Sequence, residues 1–177
     1  CTIRLKSAGT GWADPGQAAY FTVEDGIRGA LSMPENFQDI VLLKANGMPT
    51  YHLAHAVDDH LMGTTHVVRG EEWLSSLPIH VELFEKLGFQ LPVYCHTAQL
   101  MKLDENGNKR KLSKRKDPEL SLGFYQEQGY HPLAIREYLL TLLNSNFEEW
   151  RMANPTTDCD EFPFTTEKMS SSGALFD

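Results

Sequence analysis

The stretch from residue 65 to residue 96 reads THVVRGEEWLSSLPIHVELFEKLGFQLPVYCH and decides the fold class. Residues 65–70 are rich in β-branched side chains and predict a strand that ends at a glycine. Residues 75–88 predict a helix, because Pro78 stands in the first turn and apolar residues recur at helical spacing. Residues 92–96 predict a second strand. A strand, a helix and a strand of these lengths indicate a parallel sheet with a crossover helix, and hence an α/β protein.

The residues on either side extend this prediction. The Asn46-Gly47 turn predicts a hairpin between a strand at 39–44 and a strand at 49–54. A short helix is then expected from Ala56 to Gly63, and residues 6–18 are expected to form a loop. Further strands are predicted at 19–23 and 27–33, further helices at 120–128 and 132–144, and no periodic element at 145–177.

Composition and charge exclude several classes of protein. The 177 residues carry a formal charge of -8, which argues against a protein that simply coats nucleic acid. No apolar stretch is long enough to span a membrane, and no signal peptide is visible. The cysteines Cys1, Cys95 and Cys159 form no CxxC pair, which argues against a disulfide framework or a structural zinc site and favours a reducing cytoplasm.

Six of the sixteen basic residues lie between positions 109 and 116. Like charges at this density repel each other unless an anion joins them, and a phosphate chain would neutralise them. Lys111 and Lys114 are three positions apart, so they can hold different oxygens of a triphosphate while one bond breaks. Taken alone, the loop could also be a solvated basic turn.

Several motifs resemble the glutamyl-tRNA synthetase family of class I aminoacyl-tRNA synthetases. Residues 111–115 read KLSKR, which is similar to the Lys-Met-Ser-Lys-Ser signature of that class. The segments GMPTYHLA at 47–54, VDDHLMG at 57–63, VVRGEEWL at 67–74 and SGALFD at 172–177 also resemble the family. The resemblance covers most of the chain and is weakest at 1–18 and 145–166.

The resemblance implies a role for each matching residue. Arg69 stands at the carboxyl end of a predicted parallel strand, where ligands bind in open sheets, and a guanidinium can grip a carboxylate with two hydrogen bonds. In the family the matching arginine holds the side-chain carboxylate of glutamate, and the tyrosine matching Tyr51 assists. A surface arginine paired with Glu71 or Glu72 is the alternative. The amino-acid pocket is expected to include Tyr51, His52, Leu53, Ala54 and His55, although several family members carry asparagine at the position of His55.

The ATP-binding residues implied by the resemblance lie further along the chain. Glu72 is expected near the ribose of ATP and Leu100 against its adenine ring. The loop residues Lys111, Leu112, Ser113, Lys114 and Arg115 are expected at the phosphates, with Lys111 and Lys114 as the catalytic pair. Magnesium is expected to accompany ATP without a dedicated protein ligand.

Two further motifs have alternative interpretations. The tetrapeptide HLAH at 52–55 resembles the His-Ile-Gly-His signature of the class. In the family that signature follows the first strand of the nucleotide fold and opens a helix, whereas HLAH follows a predicted Pro-Thr-Tyr strand of the second half, which argues against that assignment. The same strand geometry would send His52 and His55 to opposite faces, which disfavours a zinc site. The segment KMSSS at 168–172 lacks the second lysine of the signature and is interpreted as a helix start.

The resemblance implies formation of glutamyl-adenylate from glutamate and ATP, followed by transfer to tRNA. The expected fold is the second half of a Rossmann-like nucleotide-binding domain at 51–116, preceded by the end of an acceptor-binding insertion at 1–50 and followed by a helical stem-contact domain at 117–177. The chain is expected to be a fragment that is inactive by itself, from a monomeric enzyme that charges glutamate tRNA, with glutamine tRNA left open as a second substrate. A glutaminyl-tRNA synthetase, a relative that glutamylates a tRNA base and a non-catalytic nucleotide- or RNA-binding module remain open.

Overall fold

A computed structural model describes residues 1–10 and 15–176 of the chain. These residues form two compact units, Cys1–His96 and Thr97–Asp177. The predicted loop at 6–18 lies partly outside the described residues, as does the last residue of the 172–177 motif. No helix in the described part of the chain is both long and apolar enough to cross a lipid bilayer.

The first unit contains six strands and two α-helices among its described residues. The strands are β1 (Ile3–Arg4), β2 (Tyr20–Asp25), β3 (Gly29–Pro34), β4 (Val41–Leu43), β5 (His66–Gly70) and β6 (Val93–Thr97), whose last residue opens the second unit. The helices are α1 (Tyr51–Met62) and α2 (Leu77–Leu87), with short 3-10 segments at Pro15–Gln17 and Glu71–Ser76.

The main sheet has the strand order β3-β2-β6-β5. Strands β2 and β3 form an antiparallel hairpin, and β2 pairs in parallel with β6 where Asp25 lies opposite Tyr94. The predicted strand, crossover helix and strand are therefore confirmed as β5, α2 and β6. Strands β2 and β3, which come from the predicted segment 1–50, belong to the same sheet as β5 and β6.

The predicted hairpin at 39–54 is wrong in its second strand. The chain does fold back after β4, since the Thr50 amide donates to the Leu42 carbonyl at 2.8 Å. It then turns into α1, and β4 takes β1 as its antiparallel partner. Thr50 is extended and serves as the N-cap, while its carbonyl accepts the first helical hydrogen bond from Ala54. The helix predicted from residue 56 therefore begins earlier, at Tyr51.

Helix α2 contributes to two apolar clusters of the first unit. Its Leu83 and Phe84 pack with Leu5 and Ala56, while its Leu77 packs with Val23 and Tyr94. All of these side chains are buried. The helix is therefore fixed on both sides, which holds the residues at its first turn against β6.

The second unit combines a small sheet with helices. Its described elements are β7 (Leu100–Leu103), β8 (Lys109–Lys111), α3 (Leu122–Glu127), α4 (Pro132–Leu143), α5 (Phe147–Ala153) and β9 (Ala174–Leu175). Strand β7 pairs antiparallel with β8 and in parallel with β9. The predicted helices at 120–128 and 132–144 are confirmed.

Two predictions for the second unit are wrong. Helix α5 lies where no periodic element was predicted, and it buries Phe147 against Cys159 and Phe162. Residues 168–172 do not begin an α-helix. A single 3-10 turn at Thr166–Lys168 ends there, and Met169 forms a bridge with Asn144.

Candidate active site

Arg69 lies at the carboxyl end of β5, as predicted, and is partly buried. Its Nε donates to Nε2 of His96 at 2.9 Å, and its Nη1 lies 3.0 Å from Nδ1 of His80. The guanidinium carbon sits 4.5 Å from the centre of the Tyr94 ring and 5.9 Å from that of Trp73. Because a guanidinium only donates hydrogen bonds, both histidine nitrogens must be unprotonated acceptors.

His96 connects Arg69 to a buried carboxylate. Its other ring nitrogen, Nδ1, lies 2.6 Å from Oδ2 of Asp25, and both side chains have no exposed surface. The backbone amides of Ile27 and Arg28 also donate to Asp25, each at 3.0 Å. Burial opposes ionisation of Asp25, but the hydrogen bonds from His96 and these amides outweigh it and hold the pKa of the carboxyl below its usual value.

His80 supports Arg69 from the first turn of α2. It is fully buried, and its Nε2 lies 2.9 Å from Nδ1 of His52. Burial, followed by the positive charge of Arg69, lowers the pKa of His80 to about 2. His80 is therefore neutral at physiological pH, and it accepts from Arg69 on one nitrogen while it donates to His52 on the other.

His55 occupies the centre of the contact between α1 and β6. Its Nδ1 lies 2.5 Å from Oδ2 of Asp59, and its Nε2 lies 2.8 Å from the hydroxyl of Tyr94. Both ring nitrogens are thus engaged by protein groups. The predicted pocket residue His55 therefore fixes the Tyr94 ring on which the guanidinium of Arg69 rests.

The predicted separation of His52 and His55 is wrong. Their ring centres lie 5.1 Å and 4.7 Å from that of His80, so both histidines face α2. The reason is the helical backbone, which brings residues three apart to one face. The strand argument against the HLAH motif is wrong for the same reason, since residues 52–55 do open a helix. Their imidazoles contact His80, Tyr94 and Asp59.

Tyr51 begins α1 at the surface, with 48% of the residue exposed. Its ring centre lies 4.5 Å from that of Trp73 and its ring stacks parallel to His55. Burial lowers the pKa of Arg69, and the nearby side chains of Tyr94 and Tyr51 oppose this lowering. The structure therefore gathers Tyr51, His52, His55 and Arg69, while Leu53 and Ala54 follow on the same helical turn and are partly buried.

The two acidic residues after β5, which the alternative pairs with Arg69, make other contacts as well. Glu71 forms an ion pair with Arg28 at 2.6 Å. Glu72 folds its carboxylate over Gly70, where a Cβ would come within 2.1 Å of an oxygen. Arg69 is thus no simple surface arginine, because it is held by two buried histidines.

The lysine loop of the second unit, residues 109–117, is organised around Asp117. This buried carboxylate accepts two hydrogen bonds from Arg110, at 2.7 Å and 2.6 Å, and one from the Ser113 amide at 2.7 Å. The Arg110 hydrogen bonds, followed by that of Ser113, lower the pKa of Asp117. The expectation that an external anion neutralises the whole basic run is therefore incomplete, since the carboxylate of Asp117 already pairs with Arg110.

The other cations of the loop face solvent. The side chains of Lys111, Lys114, Arg115 and Lys116 are exposed, whereas Leu112 is buried and anchors the turn. The Leu112 amide donates to the carbonyl of Leu100 at 3.1 Å, which ties the loop to β7. Leu100 itself is partly buried and pairs with Ala174.

Sequence reasoning missed the residues that hold the predicted ones. Arg69 was identified by its motif, but Asp25, His80, Tyr94 and His96 were not, because they lie on three other elements, β2, α2 and β6. Only the sheet order and the position of α2 bring them together. Asp117 could have been identified from the sequence, since it directly follows the basic run.

Residues 3–166 match the family of class I tRNA synthetases for E and Q, catalytic domain. The chain belongs to this family. It is 69% identical to a glutamate--tRNA ligase of Acetivibrio thermocellus and 56% identical to one of Clostridium beijerinckii, each over 175 residues and 99% of the chain. These matches cover 31% and 30% of the two relatives, so the chain spans about a third of their length.

A solved structure supports the same assignment. The crystal structure of a glutamate tRNA ligase from Elizabethkingia meningosepticum in complex with its amino acid matches with a TM-score of 0.75 and 34% identity. The match covers 90% of this chain and 34% of that one. The mixed α/β architecture described above is therefore that of a class I synthetase catalytic domain.

Proposed function

We propose that this chain forms part of a glutamate--tRNA ligase, an enzyme that activates glutamate with ATP and transfers it to tRNA. The observation that carries the proposal is the arginine at the end of β5, held by two neutral histidines in a family of synthetases. Its relatives of 69% and 56% identity are named glutamate--tRNA ligase, which favours glutamate over glutamine as the substrate.

In this proposal Arg69 binds the side-chain carboxylate of glutamate. A partly desolvated guanidinium forms stronger hydrogen bonds to a carboxylate than one in water does. Tyr51 and the first turn of α1, with His52, Leu53, Ala54 and His55, form the wall of the amino-acid pocket. A glutaminyl-tRNA synthetase binds a neutral amide, so a charged fork at this position would give it no advantage.

The lysine loop is proposed to act on the phosphates of ATP. Lys111 and Lys114 would stabilise the negative charge that grows on the leaving pyrophosphate, and Arg115 would add to the positive field. Leu112 and Ser113 would set the backbone of the loop. Glu72 is proposed to lie near the ATP ribose and Leu100 near the adenine ring, with Mg²⁺ bound through ATP.

A finer division of the chain belongs to the same proposal. Residues 1–50 would end an acceptor-binding insertion, residues 51–116 would form the second half of a Rossmann-like nucleotide fold, and residues 117–177 would begin a helical stem-contact domain. A monomeric enzyme is proposed, with tRNA for glutamate as its partner and tRNA for glutamine as a second candidate. The 177-residue chain alone is expected to be inactive, since it spans only about a third of its relatives.

The direct test is aminoacylation by the complete gene product that contains this chain. With ATP, Mg²⁺ and tRNA present, we expect radiolabelled glutamate to be joined to tRNA and glutamine to be rejected. Preference for glutamine would favour a glutaminyl enzyme. Binding of tRNA that weakens steeply with salt, without ATP binding or aminoacylation, would favour a non-catalytic RNA-binding module.

The activity of the chain alone needs a separate assay. We expect the purified 177-residue chain to show no glutamate-dependent exchange between ATP and pyrophosphate in the presence of tRNA. Exchange at a rate near that of an intact synthetase would contradict the expected division of the site.

A further inference from the structure

We propose that Asp25 is a positioning residue for Arg69, acting through His96, and that it thereby sets the affinity of the pocket for the side-chain carboxylate of glutamate. This inference rests on the proposed function. The imidazole of His96 lies between Asp25 and Arg69 and contacts both, so Asp25 acts mainly through the orientation and protonation of that ring.

The carboxylate of Asp25 is itself firmly placed. Oδ1 accepts from the amides of Ile27 and Arg28, each at 3.0 Å, and Oδ2 lies 3.2 Å from the amide of His96. Asp25 ends β2 and is in parallel register with Tyr94 of β6, two residues before His96. The sheet therefore fixes both members of the pair, and the 2.6 Å contact between Oδ2 and Nδ1 has little freedom to change.

The protonation of His96 follows from its two neighbours. Arg69 Nε always carries a hydrogen, so Nε2 of His96 must accept. The single proton of the neutral ring then resides on Nδ1, where it is donated to Asp25. Asp25 selects this form of the ring, because an ionised carboxylate can only accept. Without Asp25, the ring could place its proton on Nε2 and oppose the Arg69 N–H.

Neutral imidazoles also keep the arginine suited to a carboxylate ligand. A carboxylate in direct contact at Nε would compete electrostatically with the substrate for the same positive charge. His96 and His80 instead accept from Arg69 without a full negative charge. The charge of Asp25 is held one ring further away, where it steadies the geometry while the guanidinium retains its attraction for glutamate.

Asp25→Asn in the complete gene product is the test variant. The asparagine is nearly isosteric, and its amide group can donate to Nδ1, which favours the proton on Nε2 of His96. We expect the KM for glutamate to rise about tenfold or more, while kcat and the KM for ATP change less than about threefold. Nitrogen chemical shifts of His96 should report the move of the proton from Nδ1 to Nε2.

Asp39→Asn is the matched control. Asp39 is an exposed residue of the same unit whose Oδ1 accepts from the Ser7 amide at 2.8 Å. The Asp39→Asn variant carries the same chemical change away from Arg69, and its kinetic constants should remain those of the wild type. Should Asp25→Asn fail to fold, His96→Gln asks the same question, because its amide oxygen can accept from Arg69 without linking it to Asp25.

The double variant Asp25→Asn/His96→Gln tests the route of the effect. If Asp25 acts through His96, the double variant should have the glutamate KM of His96→Gln alone. Additive increases, or a wild-type glutamate KM in a folded single variant, would overturn the inference. If the wild-type enzyme itself shows no glutamate-dependent activity, the proposed function is overturned, and this inference with it. The behaviour of the wild type therefore distinguishes the two failures.

Discussion

At the scale of single residues, the first unit holds the partly buried guanidinium of Arg69 with uncharged side chains. Two neutral histidines satisfy Nε and Nη1 of Arg69, and the ring of Tyr94 supports its face. The sequence could predict Arg69, because its motif and its position at a strand end are local features. It could not predict His80 and His96, because their convergence depends on which strands are neighbours.

The burial of His80 predicts a pH-dependent stability. In the unfolded chain this imidazole takes up a proton as the pH falls below about 6.5, while in the folded state burial and Arg69 keep the pKa at about 2. The stabilising contribution is therefore complete above pH 6.5 and is lost on acidification. The free energy of unfolding should fall by about 1.4 kcal/mol per pH unit between pH 6 and 4.5 on account of this group.

Urea denaturation in a Trp150→Phe background measures this effect, because the change removes the tryptophan of the second unit and keeps Trp73 in the first. His80→Gln should reduce the slope of stability against pH but not abolish it, since the pKa values of His52 and His55 are lowered by burial too. His66→Gln, which removes an exposed imidazole, is the control and should keep the wild-type slope. An unchanged slope in His80→Gln would contradict the prediction.

A second residue-scale prediction concerns Asp117 in the lysine loop. Asp117→Asn replaces one acceptor oxygen by a donor that faces Arg110, so the hydrogen bond to the Ser113 amide should weaken. Amide hydrogen exchange at Ser113 should accelerate at least about tenfold, as local opening becomes easier. Glu119→Gln is the control, because Glu119 pairs with Lys102 instead. Equal exchange in the wild type and Asp117→Asn would show that Asp117 does not hold the loop.

At the scale of elements, α1 shows where sequence patterns are ambiguous. Residues 49–54 follow a turn and carry Thr and Tyr, which favour strands, so a hairpin was the local prediction. The structure keeps the turn and an isolated bridge between Leu43 and Pro49, and then begins the helix at Tyr51. Burial of His55 and Ala56 against α2 and β6 decides the outcome, which is tertiary information absent from any short window.

The C-terminal caps of the helices give an element-scale prediction. Gly88 ends α2 with a φ of 69°, a left-handed conformation that costs an alanine about 1 kcal/mol. Gly88→Ala should therefore lower the free energy of unfolding of the first unit by about that amount. Gly63→Ala, at the end of α1 with a φ of 66°, should behave alike.

Replacing a glycine inside a helix by alanine is instead expected to raise the free energy of unfolding. Gly123 lies within α3, and a Cβ there would meet only Ser121 Oγ at 3.4 Å. Gly123→Ala should stabilise the second unit by about 0.5–1 kcal/mol, because alanine has less freedom to lose on folding. Trp150 fluorescence during urea denaturation can follow that unit. A stabilising Gly88→Ala would contradict the assigned cap.

At the scale of the whole molecule, the α/β class was predictable because strands and helices alternate strongly in the middle of the chain. The boundary between the two units was not, since it falls at His96, within the predicted nucleotide fold. Helix α5 was also not predictable from periodicity. Its seven residues bury essentially one side chain, Phe147, so the pattern is too short to be recognised.

Charge is unevenly distributed along the chain. A net charge of -8 coexists with six cations between residues 109 and 116 in the second unit. The prediction that this run is a loop holds only after Lys111, because Lys109–Lys111 form β8. Asp117 pairs with Arg110, while Lys111, Lys114, Arg115 and Lys116 are exposed. The part of the loop proposed to meet phosphates is thus the part that faces solvent.

The central claim is that Arg69 binds the side-chain carboxylate of glutamate. The most direct measurement is the KM for glutamate of the complete gene product carrying Arg69→Ala, beside Arg136→Ala, an exposed arginine paired with Asp160. Loss of a charged hydrogen-bond pair predicts a rise of about a hundredfold for Arg69→Ala, with the KM for ATP nearly unchanged and Arg136→Ala like the wild type. A wild-type glutamate KM in a folded Arg69→Ala enzyme would contradict the account.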